Sequence, residues 1–157
     1  MWRKFVPEGN LNGAITDRAH TPINFPLIRL GDVLLMLAEA YNENGELTKA
    51  ITEVNKVRAR SQMPNLNSGA SFLVVSNQQE LQKRIRQERK VELAGEGHRY
   101  FDLKRWNQLD ELSIGYIEKS VVGDNLLTRG YQSRHKLWPI PGQEIELNPM
   151  LTQNEGW

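Results

Sequence analysis

Two glutamates, Glu88 and Glu92, lie one helical turn apart in the charge-dense stretch 86–106. A pair of carboxylates is the arrangement that glycoside hydrolases use, one as the acid and the other as base or nucleophile. Arg89 stands between them in the sequence, and so close a positive charge should keep both carboxylates ionised, whereas an acid catalyst must be protonated. We therefore predict no catalytic residue here and no enzyme activity.

Other reactive groups are few. The three histidines are far apart and match no metal-ligand spacing, and the absence of cysteine removes thiol catalysis, disulfides and cysteine zinc sites. The glycine-rich stretch 95–98 lacks the lysine and the preceding strand of a phosphate-binding loop. We predict neither a metal site nor a cofactor.

The same charged stretch has a structural interpretation. Leu81, Ile85 and Leu93 share one helix face, and three charges fall within that stripe, where they must pair because an unpaired buried charge is costly. A hinge at 95–97 follows, and then acidic and basic residues recur three apart beside a tryptophan. We predict an ionic latch between two helices, formed by Glu88, Arg89, Glu92, Arg99, Asp102, Arg105 and Trp106.

Aromatic residues suggest few ligand contacts. Trp106 has the helical spacing of a core residue, and Trp138 and Trp157 are predicted to pack the C-terminal tail. Tyr116 and Tyr131 lie in an irregular segment and are better placed to be exposed. They are the two candidates for ligand binding.

Helical periodicity defines the elements that position these groups. One helix is expected over 30–44 and a second from 47 to about 60. The second helix has a basic end, formed by Lys56, Arg58 and Arg60, which we interpret as solvated. The short link predicts antiparallel packing, at the offsets of a tetratricopeptide repeat. The predicted core stripe of the first helix is Leu30, Val33, Leu34, Leu37, Ala38 and Tyr41.

Two further helices, 78–94 and 98–109, could form a divergent second hairpin. Ser76 with Gln79, or Asn77 with Glu80, would cap the first of them. A short strand is possible at 116–122. The proline-rich tail, 137–157, is expected to wrap over the helices without forming a new element.

Charge and hydropathy exclude several partners. Lysine and arginine total 20 against 19 acidic residues, so nothing favours nucleic acid. No apolar run approaches the roughly 20 residues of a membrane span, and the first residues lack a signal peptide's apolar centre.

Three blocks in the sequence together resemble the C-terminal part of the SusD/RagB family, the nutrient-binding surface lipoproteins of the Bacteroidetes outer membrane. The first runs from Ile28 through Ala38-Glu39-Ala40-Tyr41 and the second from Ile85 to Trp106. The third consists of Pro139-Ile140-Pro141, Glu144, Asn148-Pro149 and Gln153-Asn154; Glu155 and Trp157 depart from the family's usual proline and tyrosine.

The resemblance implies an all-α fold of tetratricopeptide-like helical hairpins with long irregular loops and a wrapped C-terminal tail. It implies that residues 1–157 are a single-domain C-terminal fragment of a longer protein, with a lead-in over 1–26, a scaffold over 27–112, and a loop and tail over 113–157. The missing beginning would carry the lipoprotein signal.

The implied function is capture of oligosaccharide at the cell surface, in the outer membrane, together with a TonB-dependent transporter of the SusC type. The implied ligand is a glycan, or in some members a peptide. The alternative from another class is a freestanding tetratricopeptide-like module for protein–protein interaction.

Overall fold

The computed structural model describes residues 25–112, 117–119, 125–128 and 130–157. The fold is all-α, as predicted, and the chain divides into two compact units, 1–96 and 97–157. The single-domain expectation stays a prediction. The helices are α1 (Leu30–Glu43), α2 (Leu47–Arg60), α3 (Gln78–Glu92), α4 (His98–Arg105) and α5 (Gly142–Leu147).

The first unit is built on the hairpin of α1 and α2, both predicted. Gly45, at φ +77°, allows the tight link between them, and the Glu46 amide donates to the Tyr41 carbonyl at 2.8 Å. Helix α3 packs against both helices. The core they enclose contains Leu35, Ala38, Ala50, Val54, Val57, Leu81 and Ile85.

The predicted core stripe of α1 is wrong in part. Leu30, Val33 and Leu37 are exposed, whereas Leu35, Ala38 and Asn42 are buried. Helix α1 is apolar around most of its circumference, so its sequence contains two candidate stripes, and periodicity alone does not say which one the neighbouring helices cover.

The loop between α2 and α3 is held by two asparagines. The Leu66 amide donates to the Asn55 side chain and the Val75 amide to the Asn67 side chain, each at 2.7 Å. Helix α3 begins where the second predicted cap placed it, since the Asn77 side chain accepts from the Glu80 amide. The alternative cap is wrong.

The second unit begins with α4, which ends four residues earlier than predicted. Asn107 adopts a left-handed conformation (φ +57°), and the Gln108 amide donates to the Leu103 carbonyl at 2.8 Å. This geometry terminates a helix, so Leu109–Leu112 continues as a 3₁₀ turn. A glycine usually takes that position, which is why the stop was missed.

A two-stranded antiparallel hairpin follows, formed by β1 (Ile117–Lys119) and β2 (Asn125–Thr128). The first strand lies inside the predicted range. The second was not predicted.

The tail contains two short helices, against the expectation of no new element. A 3₁₀ turn spans Ser133–Lys136, and α5 begins directly after Pro141. Proline prevents helix only at and just before its own position, and its fixed φ suits a helix start.

The tail also folds back on itself. The Trp157 indole N–H donates to the carbonyls of Arg134 and Leu137, both at 3.1 Å, which confirms its closing role. The Gln153 side chain makes a reciprocal pair of hydrogen bonds with the Ile140 backbone. Trp138 is 78% exposed, so its predicted packing is wrong within this chain.

Candidate functional site

The centre of the charged stretch is a buried ion pair that joins α3 to α1. Arg89 donates from Nη1 to Oδ1 of Asp32 at 2.9 Å. Both side chains are almost entirely buried, with 4% and 7% exposed. Asp32 lies in the first turn of α1, where the helix dipole also favours a negative charge. The pair connects residues 57 positions apart, one on each helix.

A second cluster surrounds Arg29, which immediately precedes α1. Its guanidinium donates to both carboxylate oxygens of Glu96 at 2.8 Å and to the Glu92 carbonyl at 2.9 Å. The hydrogen bond with Glu96, despite partial burial, raises the pKa of Arg29 above its already high usual value. This contact therefore contributes to stability at ordinary pH. Its contribution is lost only as the pH rises through the raised pKa of Arg29 in the folded protein.

Glu96 lies in the turn between α3 and α4, and its side chain is buried. Gly95 and Gly97 on either side adopt positive φ, +80° and +82°, which is a conformation that other residues rarely take. The glycines therefore shape the turn, while Glu96 is bound at its centre by Arg29.

Gly31 explains how a carboxylate approaches α1 so closely. A Cβ at this position would meet Oε1 of Glu92 at 3.0 Å. Glu92 itself pairs with Arg29 at 2.9 Å and with Arg60 at 2.8 Å. Because the carboxylate is bound from two sides, a side chain at position 31 would have to displace it.

The interpretation of the basic end of α2 as solvated is wrong for Arg58. This residue is only 7% exposed; it pairs with Glu88 and donates from Nε to the Pro64 carbonyl at 2.7 Å. Arg60 remains exposed and pairs with Glu92, and Lys56 pairs with Glu53 within α2. Helix α2 therefore supplies two of the arginines that neutralise α3.

Two ion pairs of the second unit join residues three and twelve positions apart in the sequence. Arg105 donates to Asp102, three residues earlier, at 3.0 Å, and Arg99 donates to Glu111 at 2.7 Å. The Arg105 guanidinium lies over the Trp106 ring, 4.7 Å from its centroid. Trp106 is half-buried, and Arg105 is 44% exposed.

The predicted latch residues are thus divided between the two units. Sequence spacing did not indicate the partners of the latch residues in the first unit, among which are Arg29, Asp32, Arg58 and Arg60. It also did not indicate Glu96, which pairs with Arg29. The sequence contained one indication of these partners, because Arg29 and Asp32 belong to the start of the first block of the resemblance. The structure joins both residues to the second block. That the network stabilises the fold as a latch remains a proposal.

The two candidate ligand-binding tyrosines stay a prediction. Tyr116 lies outside the described residues, and Tyr131 is half-buried, edge to face with His135 at 6.0 Å between ring centroids. Within the described part of the chain, no group of three or more His, Cys, Asp and Glu residues could hold a metal ion. No helix over the described ranges is long and apolar enough to cross a membrane.

Comparison with known proteins identifies the source of these blocks. The model of the SusD family matches residues 1–157. The chain belongs to the SusD family. Two SusD-like proteins of Formosa agariphila are 35% and 36% identical, over 83% and 93% of this chain. A solved SusD-like protein from Bacteroides fragilis superimposes with a TM-score of 0.69 at 28% identity, covering 85% of this chain.

The match is to part of a longer protein. The chain spans about a quarter of its curated SusD-like relatives, 24% and 26% of their lengths, and the match covers 26% of the Bacteroides fragilis chain. The all-α, tetratricopeptide-like fold is confirmed. In this SusD-family chain the first two blocks meet through Arg29–Glu96 and Asp32–Arg89.

Proposed function

We propose that this chain is the helical scaffold portion of a surface protein that binds oligosaccharide for uptake. The protein would lie at the outer membrane and work with a TonB-dependent transporter of the SusC type. The observation that carries the proposal is the family match over 1–157, together with the ion pairs between its first two blocks.

The charge network favours binding over catalysis. Glu88 and Glu92, the carboxylates best spaced for acid–base chemistry, each pair with arginines of other segments. Carboxylates held in ion pairs by arginines of other segments are engaged in contacts between helices. In a structural role, these arginines supply the opposite charge without which a buried carboxylate would destabilise the fold.

If the chain is a scaffold, most residues that contact the glycan should lie elsewhere in the protein. Around Tyr131, the rings of His135 and Trp157 and the Arg134 guanidinium form a small surface cluster. Because the chain spans about a quarter of its relatives, most glycan contacts should come from the other three quarters of their length. The chain would then bind glycan weakly or not at all by itself and would contribute the frame on which the binding residues are mounted.

Affinity electrophoresis tests the proposal, with glycogen, xylan, laminarin or pectin in the gel. The proteins are the isolated chain, the 35%-identical SusD-like protein of Formosa agariphila, and a chimera in which this chain replaces the matching segment of that relative. We expect the relative and the chimera to be retarded by the same polysaccharide, with no release of reducing sugar, and the isolated chain to migrate freely.

Two results would contradict the proposal. One is a folded chimera that no longer binds the polysaccharide that retards its parent. The other is a peptide that binds the isolated chain tightly while no polysaccharide retards any of the proteins, as the protein-interaction alternative predicts. Co-purification of the chimera with the relative's SusC-type transporter, compared with the unmodified relative, tests the partner separately.

A further inference from the structure

The turn between α1 and α2 contains an asparagine followed directly by a glycine, Asn44-Gly45. Asn44 is the C-cap residue of α1, and its exposed side chain makes no hydrogen bond with another described residue. A free side-chain amide in front of a glycine is chemically unstable, because the nitrogen of the following peptide bond can attack the carbonyl carbon of the side chain. The turn therefore contains both reacting groups.

The geometry of the turn leaves room for this attack. Glycine has no Cβ to shield its nitrogen, and a Cβ built on Gly45, at φ +77°, would meet no atom beyond the neighbouring residues within 4 Å. The Gly45 N–H donates to the Asn42 carbonyl at 3.0 Å, and this bond must open before the nitrogen can turn toward Asn44. It lies at the end of a helix, where local opening costs little free energy. A local movement is therefore sufficient.

We propose that Asn44 is a site of spontaneous covalent modification. The Gly45 nitrogen loses its proton and forms a bond to Cγ of Asn44, the bond from Cγ to Nδ2 breaks, and Nδ2 takes up a proton and leaves as ammonia. Water then opens the resulting succinimide ring at either of its two carbonyls. One opening gives aspartate, and the other gives isoaspartate, in which the main chain runs through the former side chain. The inference does not depend on whether the protein binds glycan.

Other asparagines of the described ranges lack this combination, and Asn44 is the one among them that precedes a glycine. Asn67 is exposed, but its side chain is held by hydrogen bonds with both the amide and the carbonyl of Val75. Asn65 is exposed and is followed by a leucine, whose side chain hinders attack. Asn148 is exposed and is followed by a proline, which has no N–H to lose. The structure therefore supplies its own controls.

Either product should weaken the α1–α2 hairpin. A new carboxylate would lie at the C-terminus of α1, where the helix dipole disfavours a negative charge, and near Glu43 and Glu46 in the sequence. Isoaspartate would also add a methylene group to the main chain within the turn that the hydrogen bond from the Glu46 amide to the Tyr41 carbonyl closes at 2.8 Å. The modification would therefore loosen the link between the two helices.

Prolonged incubation of the chain at mildly acidic and mildly alkaline pH, in water enriched in heavy oxygen, tests the proposal. Peptide mapping by mass spectrometry locates each conversion and separates it from a second asparagine–glycine pair at 12–13. The controls are Asn44→Gln, which would have to form a larger ring, and a synthetic peptide of residues 41–47. The chimera with the Formosa agariphila relative is incubated in parallel, so that the reaction is also followed in a longer SusD-like protein.

We expect both isoaspartate and aspartate at position 44, carrying heavy oxygen from water, in the chain and in the chimera. Conversion should be faster at alkaline pH, because the attacking nitrogen must lose its proton, and Asn65, Asn148 and the Asn44→Gln variant should remain intact. Asn44→Asp reproduces one product and should lower Tm by about 1–4 °C, since it adds only the unfavourable charge. The isoaspartate fraction should unfold at a lower temperature still.

Several results would overturn the inference. An intact Asn44 in the chain, over a period in which the synthetic peptide is fully converted, would show that the fold protects the turn. Conversion in the chain but not in the chimera would show that the rest of such a protein covers it. Aspartate without isoaspartate would exclude the succinimide, and an unchanged Tm of the converted protein would exclude the loosening of the hairpin.

Discussion

Two aspartate–arginine pairs of nearly equal length occupy very different settings. Asp32–Arg89 spans 2.9 Å and Asp102–Arg105 spans 3.0 Å, so their contact geometry hardly differs. Both aspartates are buried, at 7% and 5% exposed. The arginines differ: Arg89 is 4% exposed and reaches a helix 57 residues away, whereas Arg105 is 44% exposed and reaches back three residues along its own helix. The setting of an ion pair, not its length, therefore decides what its loss costs.

Arg89→Met should produce the largest effect. The methionine fills much of the space but leaves Asp32 buried without this arginine, and breaking a buried pair in this way costs about 3–5 kcal/mol. The free energy of unfolding from urea titration measures the loss. Adding Asp32→Asn to the variant should restore part of it, since the orphaned charge is then removed. A change within experimental error for Arg89→Met would refute the latch.

Glu96→Gln tests the second cluster with a smaller perturbation. Glutamine keeps the shape of the side chain but replaces one of the two acceptor oxygens of Glu96 with an N–H group, which cannot accept from Arg29. Hydrogen bonds to charged groups contribute about 1.5–3 kcal/mol. The same urea titration should register a loss in that range. Glu46→Gln, at an exposed pair with Lys49 in the same unit, is the control and should leave stability unchanged. Equal effects of the two substitutions would remove the distinction between buried and exposed pairs.

Arg105→Met should produce the smallest effect and completes the comparison, because it makes the same change as Arg89→Met at a pair whose arginine is exposed. We expect a loss of about 1 kcal/mol, since solvent screens the exposed guanidinium and Asp102, although only 5% exposed, has another interaction. Thermal unfolding followed by circular dichroism would check it. A loss as large as that of Arg89→Met would mean that burial of the arginine does not decide what the loss of these pairs costs.

Local features of the fold could be predicted because their causes are local. The Asn77 cap depends on a residue three positions away, and the α1–α2 link depends on Gly45. Likewise the burial of Leu81 and Ile85 follows from helical spacing. Where a local signal was unusual, as for Asn107 at the end of α4, the boundary was missed.

The charge network could be predicted only in outline. The sequence required that Arg89 find a negative partner, but spacing along a helix indicates only partners three or four residues away. Its partner Asp32, and the burial of Arg58 against Glu88, depend on how α1, α2 and α3 pack.

By itself, the sequence determined the helices of the first unit, the absence of a thiol or a cysteine metal site, and the three blocks that identify the family. Tertiary structure decided which stripe of α1 is buried and which arginine neutralises which carboxylate. The physical reason is range: capping, turns and periodicity act over a few residues. Ion pairs between residues 30 to 67 positions apart form only after the helices have packed.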